Sequence, residues 1–195
     1  YRLSSTLDPH SSLLKADPEN KLFGRANRRR LDAECIRDAM LTASGTLKPS
    51  DGGPTFKAGT AADYGYKATD PVRSVYLPVF RNAVPELFEA FDFADPSSVV
   101  GKRSASTVAP QALFLMNNPF AVEQSTAAAT KLLGEGLPSD EARLVRAYRV
   151  TLGREPTAGE RSVGLRFVAA GREKKAAWAA VFHALFASAD FRFVN

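Results

Sequence analysis

Three capped, apolar-periodic segments in succession at the end of the chain constrain its fold more than any other feature of the sequence. Ser139 stands where a helix N-cap belongs. Asp140 and Glu141 follow in the first turn, where negative charge meets the positive end of the helix dipole. Leu144, Val145, Tyr148 and Leu152 then form an apolar stripe, and Gly153 closes the segment. Thr157 with Glu160 reads as a capping box for a second helix that ends near Gly171. A third helix is expected over Glu173 to Ala189, with Trp178, Val181, Phe182, Leu185 and Phe186 facing inward. Short connections between consecutive helices predict an antiparallel three-helix bundle.

Upstream, the pattern is broken more often. Residues 1–26 are punctuated by Asp8-Pro9, Asp17-Pro18 and several serines. A helix is expected over about Arg28 to Ser44, because Leu31, Cys35, Ile36, Ala39, Met40 and Ala43 recur at three- and four-residue spacing and Gly45 supplies a left-handed stop. Residues 47–71 read as a long loop that Tyr64 and Tyr66 can anchor. Val72 to Phe80 is the best strand candidate, restricted by Pro78 to an edge or an extended segment. Pro85 opens a short helix, Glu86 to Phe91, and Phe80, Leu87, Phe88, Phe91 and Phe93 form an aromatic-rich apolar group that reads as core. After an irregular stretch, Gln111 to Met116 is a short apolar helix. Asn118 caps and Pro119 begins a longer one, which runs to about Leu133. The expected fold is therefore mainly α: a helical domain with long irregular loops, a C-terminal three-helix antiparallel bundle, and at most one or two short strands near Val75 to Phe80. Residues 1–136 form its N-terminal and central part, and residues 137–195 form the bundle of the same domain.

A chain of 195 residues with 45% hydrophobic and 24% charged residues can bury a proper core. The net charge of +5 favours anionic partners without proving one. The one cysteine, Cys35, excludes an intrachain disulfide and every zinc or CxxCH pattern, and its place on an apolar helix face reads as buried packing rather than a nucleophile. By itself the cysteine count leans towards a reducing compartment. No apolar run is long enough to span a bilayer, and no signal peptide is present. The chain begins at Tyr1, so it is expected to be a processed product or a fragment.

No phosphate loop, GxSxG elbow or HExxH motif occurs. His183 sits among apolar residues and reads as a satisfied core or boundary histidine, while Asp8 and His10 form a lone DxH in an irregular region. The densest charge lies at Arg28 to Asp38. Arg29, Arg30, Asp32, Glu34, Arg37 and Asp38 are expected to form a charge network around the helix, with Glu34 and Asp38 each meeting an arginine three or four residues away. Arg73, Arg81, Asn82, Lys102 and Arg103 flank the aromatic group on irregular segments and are the candidate ligand-binding residues. Nucleic-acid binding would need a broader basic stripe or aromatic platforms on a recognisable fold, and neither is visible. No catalytic constellation emerges, so whether the chain is an enzyme stays open.

Several stretches together resemble one family. They are Tyr1-Arg2-Leu3-Ser4-Ser5, Arg29 to Met40, Ser44-Gly45, Arg73 to Asn82, Phe91 to Pro96, Pro110 to Asn117, Leu152 to Thr157, and Trp178 through Phe193. In order and across nearly the whole chain they are similar to the Planctomycete PSD-one domain, domain of unknown function 1553. The resemblance implies the C-terminal part of a large exported protein, periplasmic or at the cell surface, whose upstream portion often carries a c-type cytochrome domain. The haem motif is absent from this chain, so no cofactor is expected in it. No catalytic residue carries over. Two functions are then expected as alternatives. The first is a non-catalytic structural or interaction module whose partners are the upstream domains or partner subunits. The second is binding or processing of anionic polysaccharide, with Arg73, Arg81, Lys102 and Arg103 as the anion-facing wall. The resemblance supports the second because the family occurs in bacteria that degrade sulfated glycans.

Overall fold

The helix that the other elements pack around is α8, Lys174–Ala187. Trp178, Phe182 and Phe186 recur every four residues along it, Ala177, Val181 and Leu185 form the adjoining row, and all six are buried. A helix buried over so wide an arc needs neighbours with small side chains. Its most extensive packing is against α5, Pro119–Gly134, whose buried face consists of Ala121, Gln124, Ser125, Ala128, Ala129 and Leu132. Alanines on one helix let the aromatic rings of the other approach its backbone, which is how interiors reach crystal-like density.

The computed structural model describes residues 12–50, 52, 53, 55 and 66–194. In chain order the elements are α1 Ser12–Ala16, β1 Arg29–Arg30, α2 Ala33–Ser44, a 3-10 turn at Ser74–Tyr76, α3 Glu86–Ala90, α4 Ala109–Asn117, α5, α6 Asp140–Leu152, α7 Ala158–Ala170, α8, α9 Ala189–Arg192 and β2 Phe193–Val194. The fold is mainly α, as expected. Among the described residues no helix is long and apolar enough to cross a membrane.

The local signals hold where they rest on caps. The Ser139 side chain accepts from the Ala142 N–H, and Gly153 ends α6 in the left-handed region. Thr157 and Glu160 form the reciprocal capping box of α7. The Asn118 side chain accepts from the Phe120 N–H at the start of α5. Gly45 ends α2 at φ +75. A Cβ there would also lie 2.7 Å from the Lys131 side chain, so both backbone and space require glycine. At the end of α3 the same left-handed position is held by Asp92, φ +57. The Phe93 N–H then reaches back to the Phe88 carbonyl (3.0 Å), and the two rings stack with centroids 5.0 Å apart.

Five expectations are corrected. Helix α2 begins at Ala33 rather than near Arg28, because Arg29 and Arg30 pair antiparallel with Val194 and Phe193, and the Leu31 N–H donates to the Arg192 carbonyl at 2.8 Å. The short sheet therefore joins residues 29–30 to residues 193–194 and does not include Val75. Residues 72–80 are not a strand: the 3-10 turn interrupts them, and Phe80 makes only an isolated bridge with Ala83. The last helix stops at Ala187, where extended Ser188 caps α9 through its hydroxyl. Cys35 is exposed rather than buried, while Arg37, expected on the charged face of α2, is 3% exposed.

Candidate functional site

Helix α2 presents Glu34 and Asp38 one turn apart on a face turned away from Ile36 and Met40. Neither carboxylate finds the helical arginine expected for it three or four residues away. Arg103 reaches Glu34 from a loop, its Nη1 lying 2.7 and 2.9 Å from the two carboxylate oxygens, and its guanidinium sits 4.7 Å from the centre of the Phe93 ring. Arg73 approaches Asp38 at 3.5 Å. Asp38 also accepts from the Ser74 N–H (2.8 Å) and hydroxyl (2.7 Å). Arg37, adjacent in sequence, turns inward. It donates to the carbonyls of Val72 (2.8 Å), Asp70 (2.6 Å) and Ala68 (3.5 Å), with Ser74 Oγ at 3.4 Å. The bond to Val72, with that from the Ser74 N–H to Asp38, takes up backbone groups that a strand at 72–80 would have used. Burial pushes the Arg37 guanidinium below its ordinary pKa, and Asp38 opposes that.

Arg30 leaves the network expected of it and makes a second one. Its Nη2 lies 2.7 Å from Asp92, whose carboxylate also accepts from the Ser106 N–H (2.8 Å) and hydroxyl (2.9 Å). Fully buried Gln111 closes the group through Ser106 Oγ at 3.2 Å. Asp92, Ser74, Ser106 and Gln111 were not singled out in the sequence. Only Phe91-Asp92-Phe93, an aspartate directly after a predicted helix end, carries a local signal. Asp32 and Arg29 are exposed, and Arg29 makes no ion pair among the described residues.

Of the five candidate ligand-binding residues, Arg73 and Arg103 meet on the acidic row of α2, each facing a carboxylate of its own. Arg81, Asn82 and Lys102 are exposed and make no side-chain hydrogen bond or ion pair among the described residues. Two shallow grooves among the described residues lie elsewhere. One runs along α6, past Ser139, Val145, Arg146 and Arg149 to Arg161 of α7, and the other lies at the α7–α8 turn beside Phe167 and Gly171. Asp8, His10, Tyr64 and the Tyr1-Ser5 motif lie outside the described residues.

A third ionic group was missed altogether. Arg154, in the α6–α7 turn, pairs with Glu160 of α7 and Asp190 of α9, each at 2.7 Å, and lies over the Tyr148 ring. Its hydrogen bonds to Glu160 are the main reason the Glu160 carboxyl is held down at about 2; burial opposes them and the Thr157 backbone bond assists. A carboxyl lowered by folding stabilises the folded state fully above its unfolded value of 4.5 and loses that contribution as pH falls through about 2. Both side chains are about one-third exposed, so the contribution is below about 1 kcal/mol. Thermal melts of wild type and Glu160→Gln are expected to separate at pH 7 and converge near pH 2. Parallel curves would show that the pair adds nothing.

Partial burial and then the carboxylates of Asp32, Glu34 and Asp38 push the Cys35 thiol up, against its use as a thiolate. His183 Nε2 lies 3.0 Å from the Leu115 carbonyl. Among the described residues no three His, Cys, Asp or Glu side chains group as metal ligands. Apolar side chains, by contrast, face outward. Helix α4 buries only Gln111 and Leu115, leaving Leu113 and Met116 57% and 55% exposed. Helix α7 buries only Val168, leaving Val163 and Phe167 exposed.

In comparisons with known proteins, a family model described as a protein of unknown function (PSD1, DUF1553) matches residues 1–168. The match ends inside α7, before the Trp178 to Phe193 stretch. No curated protein and no solved structure matches the chain.

Proposed function

The chain belongs to the PSD1 family of proteins of unknown function (DUF1553), and on that premise we propose that it is a non-catalytic interaction module that docks against a neighbouring domain or subunit. The observation that carries this reading is the outward face of α4. A nine-residue helix, APQALFLMN, buries two side chains and leaves Leu113 and Met116 in solvent. A helix this apolar ordinarily buries its stripe, and exposed apolar surface on a folded domain marks contact sites. The charged residues support the same reading, since Arg30, Arg37, Arg103 and Arg154 are all engaged within the chain. They fasten the irregular segments at 66–74 and 92–106, and the last turn, onto the helices. The anionic-polysaccharide alternative has less support, because two of its four cations already face carboxylates of α2. We further propose that the module belongs to an exported multidomain protein, a reading supported by the resemblance noted in the sequence.

The test mixes this chain with the upstream domains that the proposal assigns to the same polypeptide, supplied in trans, and follows sedimentation or co-elution. Complex formation by wild type and at least tenfold weaker association of Leu113→Ser/Met116→Ser is the expected result. Both positions are exposed, so the variant should melt within about 0.5 kcal/mol of wild type. Equal association of the two proteins, or none by wild type, overturns the proposal.

A further inference from the structure

Arg192 is the last residue of α9 and only 8% exposed, yet no carboxylate or carbonyl receives its guanidinium among the described residues. Its Nε is enclosed without an acceptor, and so is the Nε of Arg30. What sets Arg192 apart is that no other group of its guanidinium finds an acceptor either: Arg37 is met by three carbonyls, and Arg143, whose Nε is likewise enclosed without an acceptor, is met by Asp140 and the Leu137 carbonyl. Asp190, two residues before Arg192, faces Arg154 at 2.7 Å and Arg28 at 3.5 Å, and Asp92, the partner of Arg30, is also held by Ser106 and Gln111. Among the described residues Arg30 therefore has one carboxylate, Asp92, and Arg192 has none.

Leaving a cation buried and uncompensated is among the costlier arrangements a protein can adopt, and an enclosed donor without an acceptor is a place where an ion or ordered partner belongs. Burial, and then the charge of Arg30, push the Arg192 guanidinium below its ordinary pKa, as expected for two cations held near each other without a counter-charge. The backbone fixes the pair. Arg30 and Phe193 are strand partners, and the Arg192 carbonyl accepts from the Leu31 N–H at 2.8 Å, so the β1–β2 ladder holds the main chains of the two arginines side by side.

We propose that Arg192, with Arg30 beside it, is a binding site for one oxyanion at the junction of α9 with the β1–β2 pair. The planar fork of a guanidinium selects an anion with at least two acceptor oxygens over a spherical halide. Two sources offer that chemistry: a free tetrahedral anion such as sulfate or phosphate, and the carboxylate of a polypeptide packed against this junction. The site does not depend on the α4 face, and either can fail without the other.

The experiment is a thermal-shift titration of the whole chain with sodium sulfate, and separately sodium acetate, against sodium chloride at matched ionic strength. At roughly tenfold excess over Kd a sulfate-specific rise of about 3–6 °C is expected. Arg192→Met, which keeps the volume and removes the charge, should lose that rise. A response to sulfate alone identifies a tetrahedral anion, and a response to acetate as well identifies a carboxylate. Identical curves in sulfate, acetate and chloride, or an undiminished rise in Arg192→Met, overturn the proposal. Should Arg192→Met not fold, the assigned Arg192 Nε–H resonance of the wild type decides: displacement by sulfate but not chloride supports the site, and no displacement overturns it.

Discussion

Arg37→Ala is expected to destabilise the chain by about 3–5 kcal/mol, a loss of roughly 10 °C in melting temperature for a domain this size. The cost comes less from the missing ion pair, since Asp38 is 3.9 Å away, than from what Arg37 satisfies. The carbonyls of Ala68, Asp70 and Val72 all accept from it, and truncation strips their donor. Arg37→Lys should fail nearly as badly, because one ammonium cannot serve divergent acceptors as a planar fork does. The measurement is denaturant unfolding together with amide exchange over 66–77. Protection there should fall in both variants before global stability is exceeded. A variant with wild-type stability and unchanged exchange would show that the segment is held by packing alone.

Trp178→Ala is expected to cost a similar 3–5 kcal/mol, for a different reason. Trp178 is 0% exposed at the centre of α8, and the alanine-lined face of α5 cannot collapse into the space it leaves. Its indole Nε1 is also enclosed without an acceptor. Trp178→Phe therefore removes volume and an unsatisfied donor at once, and should cost less than about 1.5 kcal/mol. Trp178 is the only tryptophan, so the transitions must be followed by circular dichroism rather than fluorescence. Equal losses in the two variants would mean that the indole N–H contributes to stability.

The helices most accurately anticipated are those whose ends are marked by side chains close by in sequence. Ser139, Thr157 with Glu160, and Asn118 each cap a backbone N–H within three residues, so the relevant energy is local and readable. The buried row of α8 was legible for the same reason, since helical periodicity states which side chains must share a face. Residues 72–80 were misread because their β-branched and aromatic composition favours a strand, while Arg37 and Asp38 capture the backbone groups a strand needs. Propensity yielded to tertiary hydrogen bonds.

The charged residues of α2 were grouped by their nearness in sequence, whereas their partners come from far along the chain. Glu34 with Arg103, Arg30 with Asp92 and Arg154 with Asp190 join residues 69, 62 and 36 positions apart. No spacing rule reaches that far; such pairs exist only after the helices have been packed. The pairing of Arg29–Arg30 with Phe193–Val194 is more distant still, and it shortened the helix that local periodicity had extended to Arg28. Periodicity, caps and glycine stops, which act within one or two turns, determined a mainly α chain and the course of its later helices. Which arginines are buried, which carboxylate each one meets, and that Arg192 meets none were decided only when segments distant in sequence were packed together.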